Sequence, residues 1–397
     1  MSFVGEFNQL DLDQWIATID RVSEADVERA LASEATGLRA FATLISEAAT
    51  GALEQVTRRS QQITQQRFGK VMRLFAPLYL SNECINNCTY CGFSRDNPIL
   101  RVTLSLDEVV REAEELVRQG FRNILLVAGE HPKFVSNGYL ESCLEALRER
   151  VPSLSIEVGP METDDYRRVV GSGAEGLVVY QETYDRALYR EMHTAGPKKD
   201  FDWRLETPER AYEAGFRRLG IGALFGLADW RREALALAAH AGYLLRHCWK
   251  SQLTLSCPRL RPCAGEFQPR TPLGDRSLVQ LLAAYRVAFP DVGLVLSTRE
   301  PAWLRDGLVP LGVTMMSAGS HTEPGGYTGA GRDKLHITER GRVKPLPVVE
   351  GPSATLPAEA TGQFDIADER PPAEIADLLR GLGYEPVWKD WDAALIA

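Results

Sequence analysis

Leu74-Phe-Ala-Pro-Leu-Tyr-Leu80 is an apolar run that leads, through Ser81-Asn-Glu, into Cys84-Ile-Asn-Asn-Cys88-Thr-Tyr-Cys91. A short apolar run bounded by polar residues reads as a buried strand. The cysteines follow CxxxCxxC spacing, with Tyr90 just before the last. Three thiolates can hold three irons of a [4Fe–4S] cluster and leave the fourth iron open to a small molecule. A structural zinc site normally takes four ligands in two pairs. No second pair is present, and the next histidine, His131, lies about forty residues downstream. A disulfide is the weaker reading of such closely spaced cysteines in a chain without a secretory pattern.

Beyond residue 72, short apolar runs alternate with amphipathic stretches. The expected strands are Leu74–Leu80, Asn123–Val127, Leu154–Val158, Gly176–Tyr180, Arg218–Leu224, Gln252–Ser256, Gly293–Ser297 and Val313–Ser317. Helical periodicity falls between them, as in Leu106–Gln119, Trp230–His247 and Ser277–Phe289. Eight strand–helix units predict an α/β fold, a closed TIM-type (β/α)8 barrel, with an open doubly wound sheet as the alternative. In a barrel the chemistry gathers at the C-terminal strand ends. Cys84–Cys91, Gly129-Glu130-His131, Gln181-Glu182-Thr183, Arg259 and Arg261, Thr298-Arg299-Glu300 and Ser317 all stand there. An arginine inside such a mouth is costly to desolvate without an anion, so Arg299, with Ser317, is the candidate for gripping an amino-acid carboxylate. His193, His240, His247 and His336 read as surface or helix residues.

The flanks differ from the barrel. Residues 1–71 predict a helical extension, with helices over Asp11–Ile19, Glu24–Leu31 and a long one from Leu44 to Phe68. The barrel is expected over 72–324. Residues 325–397 form a C-terminal extension. Its Gly-, Pro- and Thr-rich part, about 328–363, reads as a flexible surface segment, and its terminal helix and tryptophans read as a strap. Net charge is −9 and no basic block occurs, which argues against a nucleic-acid surface. No run is apolar and long enough to span a membrane, and the first residues lack a secretory pattern, so a reducing cytoplasm is expected.

The cysteine spacing and its aromatic resemble the radical S-adenosylmethionine (SAM) enzymes. This resemblance implies a [4Fe–4S] cluster on Cys84, Cys88 and Cys91, with SAM on the open iron. It also implies that Tyr90 faces the adenine and that Gly129 and Glu130, in a stretch similar to the Gly-Gly-Glu element, meet the methionine ammonium. Glu182 would then take the ribose hydroxyls and Arg204 the SAM carboxylate. Further strings narrow the match: Pro77–Asn82, Tyr180-Gln-Glu-Thr-Tyr184, Asp200–Pro208, Pro258-Arg-Leu-Arg-Pro-Cys263, Ser297-Thr-Arg-Glu300, Pro324-Gly-Gly-Tyr327 and Val387–Asp392. Together they resemble the 2-iminoacetate synthase family of tyrosine lyases over nearly the whole chain.

That family implies cleavage of the Cα–Cβ bond of L-tyrosine to 2-iminoacetate and 4-cresol. An external one-electron reductant, an electron donor protein and thiazole synthase (ThiG) complete the expected set of partners. Arg299 would bind the tyrosine carboxylate, with Ser317 beside it. Three alternatives remain at this point: a tryptophan lyase, a HydG-like tyrosine lyase and a metal-stabilised non-catalytic scaffold. HydG carries a C-terminal cysteine-bound second cluster, whereas no cysteine follows Cys263 here.

Overall fold

The computed structural model describes residues 2–33, 35–133, 138–339, 342–346 and 359–389. Eight parallel strands form the barrel: β1 Val71–Ser81, β2 Asn123–Ala128, β3 Ser153–Glu157, β4 Ala174–Glu182, β5 Arg218–Ala223, β6 Gln252–Ser256, β7 Gly293–Leu296 and β8 Met315–Ser317. Each pairs with the next, and β8 returns to β1 through Arg73–Met315 to Phe75–Ser317, which closes the sheet. A ninth strand, β9 Glu385–Val387, pairs in parallel with Val71–Arg73. It fills the part of the β1 edge that β2 leaves bare, because β2 begins its pairing only at Ala76.

Strand alternation separates two apolar layers. Leu74, Ala76, Leu78 and Leu80 of β1 join Ile124 and Leu126 of β2 in the large core beneath the outer helices. Phe75 and Tyr79, with Leu125 and Val127, form a smaller cluster inside the barrel. A one-residue slip of β1 would exchange these two sets.

The helical extension sits on barrel helices. Ser23 caps Glu24–Ala32 in a box with Asp26. Phe41 stacks on Tyr285 at 4.4 Å, and Gln280 donates to the carbonyls of Leu44 and Ser46. The single helix expected from Leu44 to Phe68 is instead two, Glu47–Gly51 and Leu53–Phe68, with Leu44 ending the preceding helix Leu38–Leu44. Ser46 causes the first break: its hydroxyl accepts the Ala49 N–H and restarts the chain as an N-cap.

The C-terminal extension also differs from a plain surface loop at both of its described ends. Tyr327 and Thr328 donate their backbone N–H groups to Glu112, at 3.0 and 2.8 Å. Residues 359–368 cross the barrel mouth, with Thr361 N–H on Leu100 O and Ala367 N–H on Thr298 O. Trp388 meets Phe121 edge-on at 5.2 Å, whereas Trp391 lies outside the described residues.

Candidate active site

The cysteine loop leaves β1 and is held on all sides through its backbone. Ile85 N–H donates to Glu130 O at 2.8 Å, and Asn86 Nδ2 to Glu130 Oε2 at 2.7 Å. Gly129 lets β2 come this close: a Cβ there would stand 2.2 Å from the Glu83 carbonyl oxygen. Arg101, fully buried, donates to the carbonyls of Asn82, Phe93 and Ser94 at 2.6, 3.2 and 2.8 Å. Asn97 gathers the carbonyls of Cys91, Gly92 and Ala264. Asn87–Cys88 also pairs antiparallel with His193–Ala195.

Cys84, Cys88 and Cys91 share the wall of one cavity with Gly129, Glu130, Glu157, Glu182, Lys198 and Arg204. Burial pushes all three thiols above their ordinary pKa, while the Lys198 charge pulls Cys88 and Cys91 the other way. Among the described residues no three His, Cys, Asp or Glu side chains converge as ligands of a single ion. Three thiols spread around one cavity suit a larger cluster, in which each sulfur binds its own iron.

Glu182 ends β4 at a bulge, with φ of 70°. A non-glycine residue held there stores strain, and such residues gather at functional sites. Its carboxylate takes Lys198 Nζ at 2.7 Å and has Arg204 at 3.7 Å. Although burial opposes ionisation, Lys198 and Arg204 hold Glu182 below the usual carboxylate range. Arg204 also donates its Nε to Tyr180 O at 2.7 Å. Tyr90 is buried, and its hydroxyl bonds His193 Nε2 at 2.6 Å. His193 Nδ1 contacts Tyr189 O at 2.7 Å, so Nδ1 carries the proton and Nε2 accepts from Tyr90. Burial, aided by Lys198, pushes His193 down to about 3. It is therefore a neutral interior prop on a short strand, neither the surface nor the helix residue expected; His240 is buried but lies in the helix Trp230–His247, as the helix reading allowed, and His336 bonds Glu83 at 2.6 Å.

A second cavity adjoins the first and shares Val127, Glu157 and Gln363 with it. Phe75, Tyr79, Leu125, Val127 and Tyr180 line its apolar wall, and Arg299 and Ser317 its polar one. Ser317 Oγ accepts the Thr298 N–H at 3.1 Å, and Arg305 binds the Ser317 carbonyl. The Arg299 guanidinium lies 3.4 Å from the Phe364 ring centroid and, among the described residues, makes no ion pair. Arg261 borders a smaller space between the two cavities. Arg259 turns away from the mouth to pair with Glu300 and Asp275. His131 accepts the Lys133 N–H at the rim.

Sequence reasoning missed four of these residues. Lys198, Gln363 and Phe364 sit in segments with no strand or motif to point at them. Gln363 bonds Tyr79 at 2.8 Å, accepts the Gly92 N–H through its carbonyl and lies 3.9 Å from the Cys91 sulfur. Glu157 carried a signal: it is the acid in the apolar third strand, at the end that faces the mouth.

A closed parallel barrel with three cysteines on the loop after its first strand defines a radical SAM enzyme, and the sequence profiles agree. The Radical SAM superfamily matches residues 78–238, and the Biotin and Thiamin Synthesis associated domain matches 256–385. The chain is 42% identical to the 2-iminoacetate synthase of Escherichia coli K12, over 99% of this chain and 98% of that one. It is 39% identical to the one from Salmonella typhimurium LT2 over the same shares. The chain belongs to the 2-iminoacetate synthase family. Among solved structures, the hydrogenase maturase HydG from Carboxydothermus hydrogenoformans superposes with a TM-score of 0.81 at 33% identity, covering 96% of this chain and 84% of that one. Methylornithine synthase, at 18% identity and a TM-score of 0.67, shares the fold. The family implies a [4Fe–4S] cluster and SAM.

Proposed function

We propose that this chain cleaves the Cα–Cβ bond of L-tyrosine, giving 2-iminoacetate and 4-cresol for thiazole assembly in thiamine biosynthesis. The observation that carries the substrate side is Arg299. It is a guanidinium without an ion-pair partner among the described residues, at the polar wall of an aromatic-lined cavity beside the cysteine loop. That cavity suits a flat phenol ring at one end and a carboxylate at the other.

Cys84, Cys88 and Cys91 would hold the cluster. Gly129 and Glu130 would meet the methionine end of SAM, Arg204 its carboxylate, Glu182 the ribose and Tyr90 the adenine side. When bound, cluster and SAM would supply the chemistry of hydrogen-atom abstraction at the substrate amine. The protein's own work is to set the amino acid between Arg299 and Ser317 and to shut out water and stray hydrogen donors. Gln363 and Phe364 roof the space in which this happens. Thiazole synthase as the consumer of the reactive imine, an electron donor protein and a cytoplasmic setting belong to the same reading. Among the described residues no helix is long and apolar enough to cross a membrane.

Anaerobic incubation of the reconstituted protein with SAM, a reductant and tyrosine tests the proposal. The expected products are 4-cresol and 5′-deoxyadenosine, both lost on Cys91→Ala. Formation of 5′-deoxyadenosine without 4-cresol would move the assignment to another substrate.

A further inference from the structure

Glu157 has no place in the reading above, yet its position is singular. The cluster-side cavity, the substrate-side cavity and the space between them have only two lining residues in common, Glu157 and Gln363. Of these two, only Glu157 ionises. Its carboxylate is half-buried, and among the described residues no donor is hydrogen-bonded to it. Glu182, in the same mouth, is satisfied by Lys198. An acid that no protein donor satisfies, on the shared wall of three recesses, is placed to meet a polar group of a ligand.

The groups facing Glu157 are Glu182 on β4, Arg299 after β7, Arg204 on the 201–205 helix, Lys198 on the turn before that helix, and the Tyr79 and Tyr180 hydroxyls of β1 and β4. Arg299 and Glu157 thus border one cavity as an unpaired cation and an unpaired anion. An α-amino acid presents the matching pair, a carboxylate and an ammonium on one carbon.

We propose that Glu157 receives the substrate ammonium and takes its proton, so that the nitrogen facing the cluster side is a neutral amine. This rests on the tyrosine-lyase reading given above. The step balances as R–NH3+ plus Glu157 carboxylate giving R–NH2 plus Glu157 carboxylic acid, with no electron transferred. It must come before hydrogen-atom removal: a neutral amine that loses a hydrogen atom leaves an uncharged nitrogen radical, and homolysis of Cα–Cβ then forms the imine directly and leaves the unpaired electron on the departing 4-hydroxybenzyl fragment. An ammonium has no lone pair with which to support that radical. Burial first, and then the Glu182 charge, raises the Glu157 carboxyl to about 7, with Arg299, Arg204 and Lys198 opposing. A base in that range is well matched to the task near neutrality.

The test is a pH profile of kcat for the iron-loaded wild type, Glu157→Gln and Glu157→Asp, together with equilibrium binding of tyrosine and of its des-amino analogue, 3-(4-hydroxyphenyl)propanoate. In the wild type, kcat should fall as the pH drops through about 7, because the carboxylate becomes protonated and cannot accept. Glu157→Gln should lower kcat roughly 100- to 10,000-fold at pH 7. Its residual rate should recover toward high pH, where the amine loses its proton to solvent. Binding of the des-amino analogue should be unchanged, and Glu157→Asp should restore part of the acid limb. A purely structural role would lower iron content or the melting temperature without moving that limb.

The inference is overturned if Glu157→Gln keeps the wild-type limb and a kcat within about threefold. Should Glu157→Gln fail to hold iron, the wild type alone decides, since a kcat flat between pH 5.5 and 8.5, about one and a half units either side of the expected midpoint, excludes the step. Wild type that yields no 4-cresol from tyrosine at any pH refutes the substrate reading instead, so the two failures are distinct.

Discussion

The two sides of the barrel mouth are built on opposite rules. On the cysteine side the loop is cross-linked by protein donors: Arg101 holds four carbonyls, Asn97 three more, and Asn82 bridges Leu100 and Thr361. On the substrate side Arg299 rests against an aromatic ring without an acid, and Glu157, which borders both cavities, has no donor among the described residues. A saturated network keeps one geometry and costs nothing further when a cofactor arrives. Unpaired charges in a recess are held at a cost that a complementary ligand removes. The contrast tells frame from binding surface without any ligand in view.

Removing Arg101 should break the frame most severely. Arg101→Met leaves three buried carbonyls without their donor and is expected to cost about 3–5 kcal/mol of stability. Thermal melting and iron uptake should fall together; normal iron content with normal melting would mean that the loop holds itself. Arg299→Ala should do the reverse. Stability should fall by no more than about 1 kcal/mol, because the guanidinium loses its stacking on Phe364 but no described hydrogen bond or ion pair. The kcat/KM for tyrosine should drop by about 2–4 kcal/mol, roughly 30- to 1,000-fold. A melting shift with unchanged KM would place Arg299 with the frame.

Tyr90→Phe sharpens the contrast with the smallest change. It removes one buried hydrogen bond to His193, at an expected cost of about 1–2 kcal/mol. His193 adds a pH signature. Its pKa is depressed to about 3 from an ordinary 6.5, so the unfolded chain binds the extra proton between those values. The stability it contributes is full above pH 6.5 and is lost as the pH falls toward 3. His193→Gln should flatten that part of a melting-temperature profile, and an unaltered slope would show that His193 is not the titrating group.

How much of this was legible beforehand differs between frame and surface. All eight barrel strands fell where apolar runs predicted them, and Gln252–Ser256 matched to the residue. The helix drawn from Leu44 to Phe68 failed because a local serine cap outweighs continuing periodicity. Cys84, Cys88 and Cys91 were visible through spacing alone, and Arg299 through its place at a strand end. Lys198 was invisible because its partner, Glu182, lies sixteen residues away across a bulged strand end and a turn. Gln363 was read as part of a flexible segment, since nothing within 270 residues of it in sequence announces the contact with Cys91.

The amino-acid sequence by itself determined the eight strands, the three-thiol loop and the family resemblance, because strand period and cysteine spacing are local and are written within a few residues; that the sheet closes into a barrel was decided by the pairing of Met315–Ser317 with Arg73–Phe75. Only the tertiary structure decided which charges are satisfied and which stand open. That depends on distances between groups far apart in the chain, and on how much water the closed mouth excludes around each of them.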